Sequence, residues 1–495
     1  MIMADQNITF DAEYDLVVVG GGGSGKSAAL TAAQGGLRVA LLEKMAETGG
    51  SSIYAEGMAA FESSEQKQRK VPDMPGKHFP TREEGFRRYT EYSHHRANPD
   101  VVRMQVENTA ETIDILKSMG IVYTDVTIYA YDQPLELYTF HRPDGLGARV
   151  QEVLLRACVN EGVDIFTSTS AKKLLMSDGT ITGVQAMDSK GNIMNIGTKA
   201  VVLATGGYGN NPAMVKKYSW IHRSAEHTYP SVPTENTGDG LNMALKVGAD
   251  TENLGAVMII PCARTKTLTS HVSGAGSQPV LWVNKTGRRF ASEEVAMSFA
   301  DAGNTIAKQP EGVVYAIIDA DTVSHLMEEG SDIGLGDFIE YHMKLTRLQT
   351  ELDQDVTEGI AWKGDTIEAL GKAIGVDPIV FAATVAEYND ACDKAYDSMF
   401  FKPTKFLRPV RKGSFYAINM APSVLVSDGG IRVNGNLQVT DKDYSPIPGL
   451  YAVGNEASGL YGDTYNLDIP GSANSFAHAS GRVAARHVLK TLKGK

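Results

Sequence analysis

Gly20, Gly22 and Gly25 have the spacing of a turn that binds the pyrophosphate of a dinucleotide. In such a turn the first glycine permits a tight reversal, the second lets the backbone approach the phosphates, and the third lets a helix pack closely on a strand. Glu43 follows 18 residues after Gly25, where a carboxylate can accept hydrogen bonds from a ribose. Together these four residues predict a dinucleotide site.

The segments around these residues are the ones that such a site requires. An apolar run at 16–19 precedes the glycines, an alanine-rich stretch at 27–34 follows them, and a second apolar run at 37–42 ends directly before Glu43. This order of strand, glycine turn, helix and strand matters because free N–H groups at the start of a helix bind phosphate. The alternative is a plain βαβ unit that binds no ligand.

Later segments have the same pattern of a buried strand and a glycine turn, and they lie on both sides of a block with a different pattern. A buried strand that runs into a glycine turn recurs at 199–207 and at 449–456, and residues 471–476 open the last long helix. Residues 258–422 instead alternate short strands with charged helices. We therefore expect an α/β fold in which a Rossmann-like cofactor domain, residues 1–257 and 423–495, carries an inserted α+β capping domain, residues 258–422.

Composition excludes several classes of partner. The chain has 495 residues and a net charge of −12, which disfavours nucleic acid and anionic membranes. No apolar run approaches the roughly 18 residues of a membrane span, and the N-terminus lacks the pattern of a leader. Cys158, Cys262 and Cys392 lie far apart, which disfavours a metal centre or a disulfide framework. We expect a cytoplasmic protein.

The motifs, taken in order, resemble the FAD-dependent fumarate reductase/succinate dehydrogenase flavoprotein superfamily. They include VVVGGGGSG, LLEK, GGSS, LATGGYG, TGDG, VNKTGRRF and IPGLYAVGNE, and they extend over nearly the whole chain. The soluble branch with urocanate reductase and 3-ketosteroid dehydrogenases is the most similar. The resemblance implies a two-part FAD-binding domain, a cap and an oxidoreductase activity.

The resemblance also implies how FAD is held. It places Glu43 on the adenosine ribose, Glu456 near the ribityl chain, and the helix start at Asn474 against the flavin pyrimidine, where the positive helix end stabilises a reduced flavin. Ser51 aligns with the histidine that links flavin covalently in membrane-bound relatives, so we expect noncovalent FAD. The residues expected at the cofactor are Gly20, Gly22, Gly23, Ser24, Gly25, Glu43, Lys44, Gly50, Ser51, Ser52, Gly57, Met58, Ala204, Thr205, Gly206, Asp239, Gly454, Glu456, Ser472, Asn474 and Ser475.

Departures from the superfamily pattern carry the information on the substrate. Met297 stands where dicarboxylate reductases have a catalytic arginine, Val426 stands where they have a substrate-binding histidine, and residues 462–471 lack the arginine of the terminal segment. Arginine binds carboxylates bidentately, so these changes remove the cations that a dicarboxylate needs. Fumarate is therefore not expected as the substrate.

Tyrosines stand near the lost cations. Tyr465 falls where steroid-oxidising relatives have a terminal tyrosine, and Tyr461 and Arg289 are further catalytic candidates. We hypothesise hydride transfer between flavin N5 and an apolar cyclic or phenolic substrate of steroid or isoflavonoid type, with Tyr465 moving the proton. The most specific candidate reaction is reduction of tetrahydrodaidzein. Tyr465 could instead be only a packing residue of the cap.

Two other functions remain open at this point. One is an acrylate-type monocarboxylate reductase that uses Arg264 or Arg289 as its single cation. The other is a flavin electron-transfer subunit without a substrate of its own. No second glycine motif follows a buried strand, so NAD(P)H must visit the flavin transiently or an external soluble carrier must reduce it. The sequence leaves the exact substrate, the direction and the oligomeric state open.

Overall fold

A computed structural model describes residues 8–70, 78–126, 138–221, 229–230, 233–264, 266–336 and 338–494. The strands in chain order are β1 (Ala12–Tyr14), β2 (Leu16–Val19), β3 (Val39–Leu42), β4 (Met58–Ala59), β5 (Tyr123–Asp125), β6 (Phe140–Pro143), β7 (Asp164–Phe166), β8 (Ser170–Ser177), β9 (Thr180–Met187), β10 (Ile193–Thr198), β11 (Val201–Leu203), β12 (Tyr229–Pro230), β13 (Thr251–Glu252), β14 (Val257–Ala263), β15 (Leu281–Asn284), β16 (Val314–Asp319), β17 (Ala361–Gly364), β18 (Phe415–Ser427), β19 (Gly430–Ile431), β20 (Gln438–Thr440) and β21 (Pro446–Ala452).

The helices follow the same chain order. They are α1 (Gly23–Gln34), α2 (Ser64–Gln68), α3 (Arg82–Tyr92), α4 (Pro99–Ser118), α5 (Leu146–Asn160), α6 (Pro212–Tyr218), α7 (Asp239–Lys246), α8 (His271–Gly276), α9 (Phe299–Ala307), α10 (Ala320–Glu328), α11 (Leu348–Glu358), α12 (Ile367–Ala373), α13 (Pro378–Asp393) and α14 (Ser472–Lys493). No helix in these described ranges is both long and apolar enough to cross a membrane.

A six-stranded sheet in the order β20-β21-β11-β2-β3-β7 forms the centre of the cofactor domain. Its strands pair in parallel from β21 to β7, with Val17 of β2 opposite Val201 on one side and Ala40 on the other. All four residues of β2 are buried, as expected for a strand covered on both faces. Because parallel strands end at one edge, this sheet brings the turns after β2, β11 and β21 together.

Helix α1 begins at Gly23, four residues before the predicted start at 27, because the second half of the glycine turn is already helical. A Cβ on Gly25 would lie 1.9 Å from the carbonyl oxygen of Gly20, so a side chain there would separate the helix from the turn. On the opposite side, a Cβ on Gly481 of α14 would lie 2.2 Å from the carbonyl oxygen of Ser24. These contacts fix α1 between the sheet and α14.

A second six-strand sheet builds the cap. Strands β12, β18, β16 and β15 follow one another in it, and β14 and β17 also pair with the long strand β18. Since β14 begins at Val257 and β18 ends at Ser427, the predicted cap limits at 258 and 422 fall inside strands of this sheet. The division of the chain into domains at those residues remains a prediction.

Candidate active site

A cavity of about 580 Å³ lies where the turns of the central sheet face the cap. Its lining includes the glycine turn, the loop around Ser51, the turn after β11, the start of α14 and several cap residues. The sixteen predicted site residues that border it are Gly20, Gly22, Gly23, Ser24, Glu43, Lys44, Gly50, Ser51, Ser52, Gly57, Ala204, Thr205, Gly206, Asp239, Tyr465 and Asn474.

Gly22 is the glycine of this turn that leaves open space. A Cβ on Gly22 would have no atom closer than 3.8 Å, and its φ of −75° suits any residue. A Cβ on Gly20 would lie 2.3 Å from the carbonyl oxygen of Ala204, and one on Gly23 would lie 2.6 Å from Ser52 Oγ. Gly22 therefore exposes its backbone to the cavity, as a pyrophosphate-binding glycine must.

Glu43 is held at the end of β3 by two backbone donors. Its Oε2 accepts from the N–H of Gly21 at 2.8 Å, and its Oε1 accepts from the N–H of Met45 at 2.8 Å. Next to it, Lys44 donates to Asp239 Oδ2 at 2.7 Å and to Thr237 Oγ1 at 2.8 Å. The Glu43 carboxylate is thus fixed in the cavity wall, where it can still accept from a ribose hydroxyl.

The start of α14 offers unsatisfied polar groups to the cavity. Ala473 and Asn474 border it, and first-turn N–H groups have no partners inside a helix. Asn474 Nδ2 donates to the carbonyl oxygen of Gly57 at 3.2 Å, while its buried Oδ1 has no partner. An orphaned acceptor beside the N–H groups of a helix start suits a flavin pyrimidine, which has both N–H and C=O groups. Together with the open face at Gly22, these residues fit FAD.

The remaining cofactor candidates lie behind the cavity wall. They are Gly25, Met58, Gly454, Glu456, Ser472 and Ser475, none of which borders the cavity. Among them, Glu456 is buried and its Oε2 accepts from the Thr205 hydroxyl and from the N–H of Gly207 at 3.1 Å, while its Oε1 has no partner, so its place near the ribityl chain remains a prediction. Burial raises the pKa of its carboxyl. The neighbouring Asn455, which was not among the predicted site residues, borders the cavity.

Tyr465 borders the cavity with only 4% of its surface exposed. Its ring centroid lies 5.2 Å from that of Tyr461, whose hydroxyl is 2.7 Å from Ser472 Oγ. Tyr461 is not in the cavity lining. Burial raises the pKa of both phenols, and hydrogen bonding to Ser472 offsets only part of this effect. Tyr465 therefore keeps its proton at neutral pH and can present it to the cavity.

Arg289 does not reach the cavity, which corrects its prediction as a catalytic residue. Its Nη2 donates to Glu293 at 2.8 Å and to Asp397 at 2.9 Å, and Lys402 lies 3.2 Å from the same Glu293 carboxylate. All four side chains are buried. Because two carboxylates occupy the guanidinium, Arg289 offers no cation to a substrate; it fixes the turn that leads into α9.

The cap side of the cavity is almost entirely apolar. Val426 lies opposite Met258 in the pairing of β14 with β18, and alternate residues of a strand share a face. Met297 instead packs against the cap core, and Arg264 is not in the lining. The apolar residues on this side are Met258, Ile260, Pro261, Leu268, Phe299, Leu335, Phe338, Leu425 and Val426.

The charged side chains around the cavity also restrict the class of substrate. Among the described residues that border it, the only cation is Lys44, and Asp239 already pairs with Lys44. Likewise, the described part of the chain holds no group of three His, Cys, Asp or Glu side chains placed to bind a metal. A substrate carboxylate would find no free cation there, whereas a neutral apolar molecule would be well accommodated.

Known proteins resemble this chain along most of its length. Residues 15–468 match the FAD binding domain family. A vinyl phenol reductase from Lactiplantibacillus plantarum is 35% identical over 490 residues, which cover 96% of this chain and 96% of that protein. An NADH:fumarate oxidoreductase from Klebsiella pneumoniae is 28% identical over 496 residues, covering 97% of this chain and 48% of that protein.

Among solved structures, a 3-ketosteroid delta1-dehydrogenase from Sterolibacterium denitrificans superposes with a TM-score of 0.78. The match covers 97% of this chain and 100% of that one at 20% identity, and that protein was solved with 1,4-androstadiene-3,17-dione. At this identity the likeness establishes the fold, with its FAD domain and cap.

Proposed function

Because the chain belongs to the FAD binding domain family and is an FAD-dependent reductase related to the fumarate reductases, we propose that it reduces a neutral phenolic substrate. The observation that carries the proposal is the cavity lining, which combines nine apolar residues on the cap side with Tyr465 and has no free cation among the described residues that border it. The vinyl phenol reductase relative supports a phenolic substrate. Isoflavonoids such as tetrahydrodaidzein are phenols of the same chemical class.

Different residues of the cavity would perform different parts of such a reaction. The glycine turn, Glu43 and the start of α14 would hold FAD, which when bound supplies hydride from flavin N5. The apolar cap wall excludes water and positions the aromatic body of the substrate. Tyr465 holds a proton at its hydroxyl and gives it to the substrate as hydride arrives, which is general acid catalysis.

The two alternatives receive less support. An acrylate-type reductase needs a cation for its carboxylate, and neither Arg264 nor Arg289 borders the cavity. An electron-transfer subunit would not need an apolar cavity beside the cofactor site. The electron donor is a separate question: the Klebsiella relative is named for NADH, but this chain spans only 48% of that protein. We propose NAD(P)H or a soluble carrier as donor.

FAD is expected to be bound without a covalent link. Ser51 borders the cavity and accepts a hydrogen bond from Asn236 Nδ2 at 2.8 Å, and a serine hydroxyl cannot form the link that a histidine ring forms. Heating or acid precipitation of the purified protein should therefore release all of its yellow colour as intact FAD. Flavin that remains with the precipitated polypeptide would refute this expectation.

Fumarate should be reduced negligibly, because the described residues that border the cavity include no free cation for either of its carboxylates. The measurement is steady-state turnover of the FAD-loaded chain with reduced viologen as electron donor. Fumarate and para-vinylphenol are supplied separately, and only the phenol should be consumed. Fumarate turnover in the usual enzymatic range of roughly 1–1000 per second would overturn the proposed substrate class.

A further inference from the structure

Two serine hydroxyls interrupt the apolar cap wall. Among the described cap residues that border the cavity, from Met258 to Val426, Ser273 and Ser277 are the only ones with polar side chains. They are 2% and 1% exposed, respectively, so both hydroxyls lie inside the protein. Burying a hydroxyl in an apolar wall is costly unless the hydroxyl finds a partner.

Ser273 lies in α8, and Ser277 is the residue that directly follows this helix. They are four residues apart, and the N–H of Ser277 donates to the carbonyl oxygen of Ser273 at 3.0 Å, so their side chains share one helix face. Val272 and Ala275 of the same helix belong to the cap core. A Cβ on Gly276 would lie 2.3 Å from Met420 Sδ, which shows how tightly the core side of α8 is packed.

The two hydroxyls differ in the hydrogen-bond partners that they already have. Ser273 Oγ accepts from the N–H of Ala263 at 3.2 Å and lies 3.4 Å from Cys262 Sγ. Because the Cys262 thiol donates to the carbonyl oxygen of Lys266, the Ser273 hydroxyl donates to the sulfur, a weak acceptor that a substrate oxygen can replace. The Ser277 hydroxyl has no hydrogen-bond partner among the described residues and can both donate and accept. A hydrogen-bond partner for the Ser277 hydroxyl can reach it from the cavity.

We propose that Ser273 and Ser277 form a subsite for an uncharged oxygen of the substrate, a phenol or alcohol hydroxyl carried on its apolar body. This inference rests on the proposed function and adds the residues that select the substrate. Two hydroxyls can donate to and accept from one neutral hydroxyl, whereas they cannot neutralise a carboxylate. Tyr465 comes from the segment before α14 and not from the cap, so recognition and proton transfer belong to different elements.

The test compares two ligands that cannot be reduced, para-ethylphenol and ethylbenzene, which differ only in the hydroxyl. Their dissociation constants are measured from the change they cause in the visible spectrum of the FAD-loaded protein. Wild type should bind the phenol more tightly. Ser277→Ala should weaken phenol binding roughly 3-fold to 10-fold, as expected for one lost neutral hydrogen bond. Ethylbenzene binding and FAD content should stay unchanged.

Ser292→Ala is the matched control, because the Ser292 hydroxyl is also buried without a partner in the cap but does not border the cavity. It should alter neither dissociation constant. If wild type binds the two ligands equally, or if Ser277→Ala weakens both alike, the subsite is wrong and the proposed function stands. If neither ligand perturbs the spectrum of the FAD-loaded wild type, the phenolic substrate class fails and the subsite fails with it.

Discussion

A Gly22→Val protein is expected to fold normally and to lose FAD. The wall at Gly22 has room for a Cβ, with no atom closer than 3.8 Å, so the variant does not strain the polypeptide. The same side chain then fills the space that a pyrophosphate needs. A clash of roughly 3 kcal/mol lowers affinity about 100-fold, which should leave the purified protein colourless. Flavin absorbance per protein and circular dichroism measure the two effects separately.

Gly25→Ala provides the contrasting control. A Cβ at Gly25 would lie 1.9 Å from the carbonyl oxygen of Gly20, so this variant should lose stability even in the absence of FAD. Its melting temperature as apoprotein should fall, whereas that of the Gly22→Val apoprotein should match wild type. A Gly22→Val protein with full flavin occupancy would show that the cofactor binds elsewhere.

Replacing Tyr465 by phenylalanine should lower turnover by roughly 100-fold to 10,000-fold, the usual contribution of a positioned acid. FAD binding should persist, because the ring remains in the wall and only the hydroxyl is lost. In single-turnover experiments the loss should appear when substrate reoxidises the flavin. Reduction of the flavin by dithionite should be unchanged, since that step needs no proton from Tyr465.

Tyr315→Phe is the matched control for Tyr465. Tyr315 is also buried, and its hydroxyl donates to the carbonyl oxygen of Ile374 at 3.3 Å within the cap, away from the cavity. It should change turnover by less than about threefold, because no reacting group is lost. An equally small change for Tyr465→Phe would reduce Tyr465 to a packing residue.

The sequence was most informative at positions where the backbone geometry permits only one type of residue. The βαβ unit from β2 to β3 and the glycine turn follow from local rules, since only glycine lets Gly20 and Gly25 approach so closely. The predicted α/β class is confirmed by the fold, and the relation to the fumarate reductases by the family match and the Klebsiella relative. The assignment of individual residues to the cofactor remains a prediction.

The sequence was least informative where contacts between distant segments decide a role. Arg289 was a candidate to supply a cation to the substrate. Its partner Asp397 lies 108 residues away in the sequence, and no local sequence pattern predicts that ion pair. Glu456 directly follows Asn455, which borders the cavity. The Glu456 side chain nevertheless lies behind the cavity wall, where it accepts a hydrogen bond from Thr205, 251 residues away in the sequence. Ser273 and Ser277 gave only a weak signal, an i, i+4 pair at the end of a short helix.

We propose that the protein reduces neutral phenols and does not reduce carboxylates. The most direct measurement is an anaerobic single turnover in which the dithionite-reduced, FAD-loaded chain is mixed with para-vinylphenol, tetrahydrodaidzein or para-coumarate. The visible spectrum of oxidised flavin is then followed. Para-coumarate has the body of para-vinylphenol with an added carboxylate, so the pair isolates the effect of charge. We predict that at least one of the two neutral phenols restores the oxidised spectrum and that para-coumarate does not. Reoxidation by para-coumarate, or the absence of reoxidation by both neutral phenols, would overturn the proposed function.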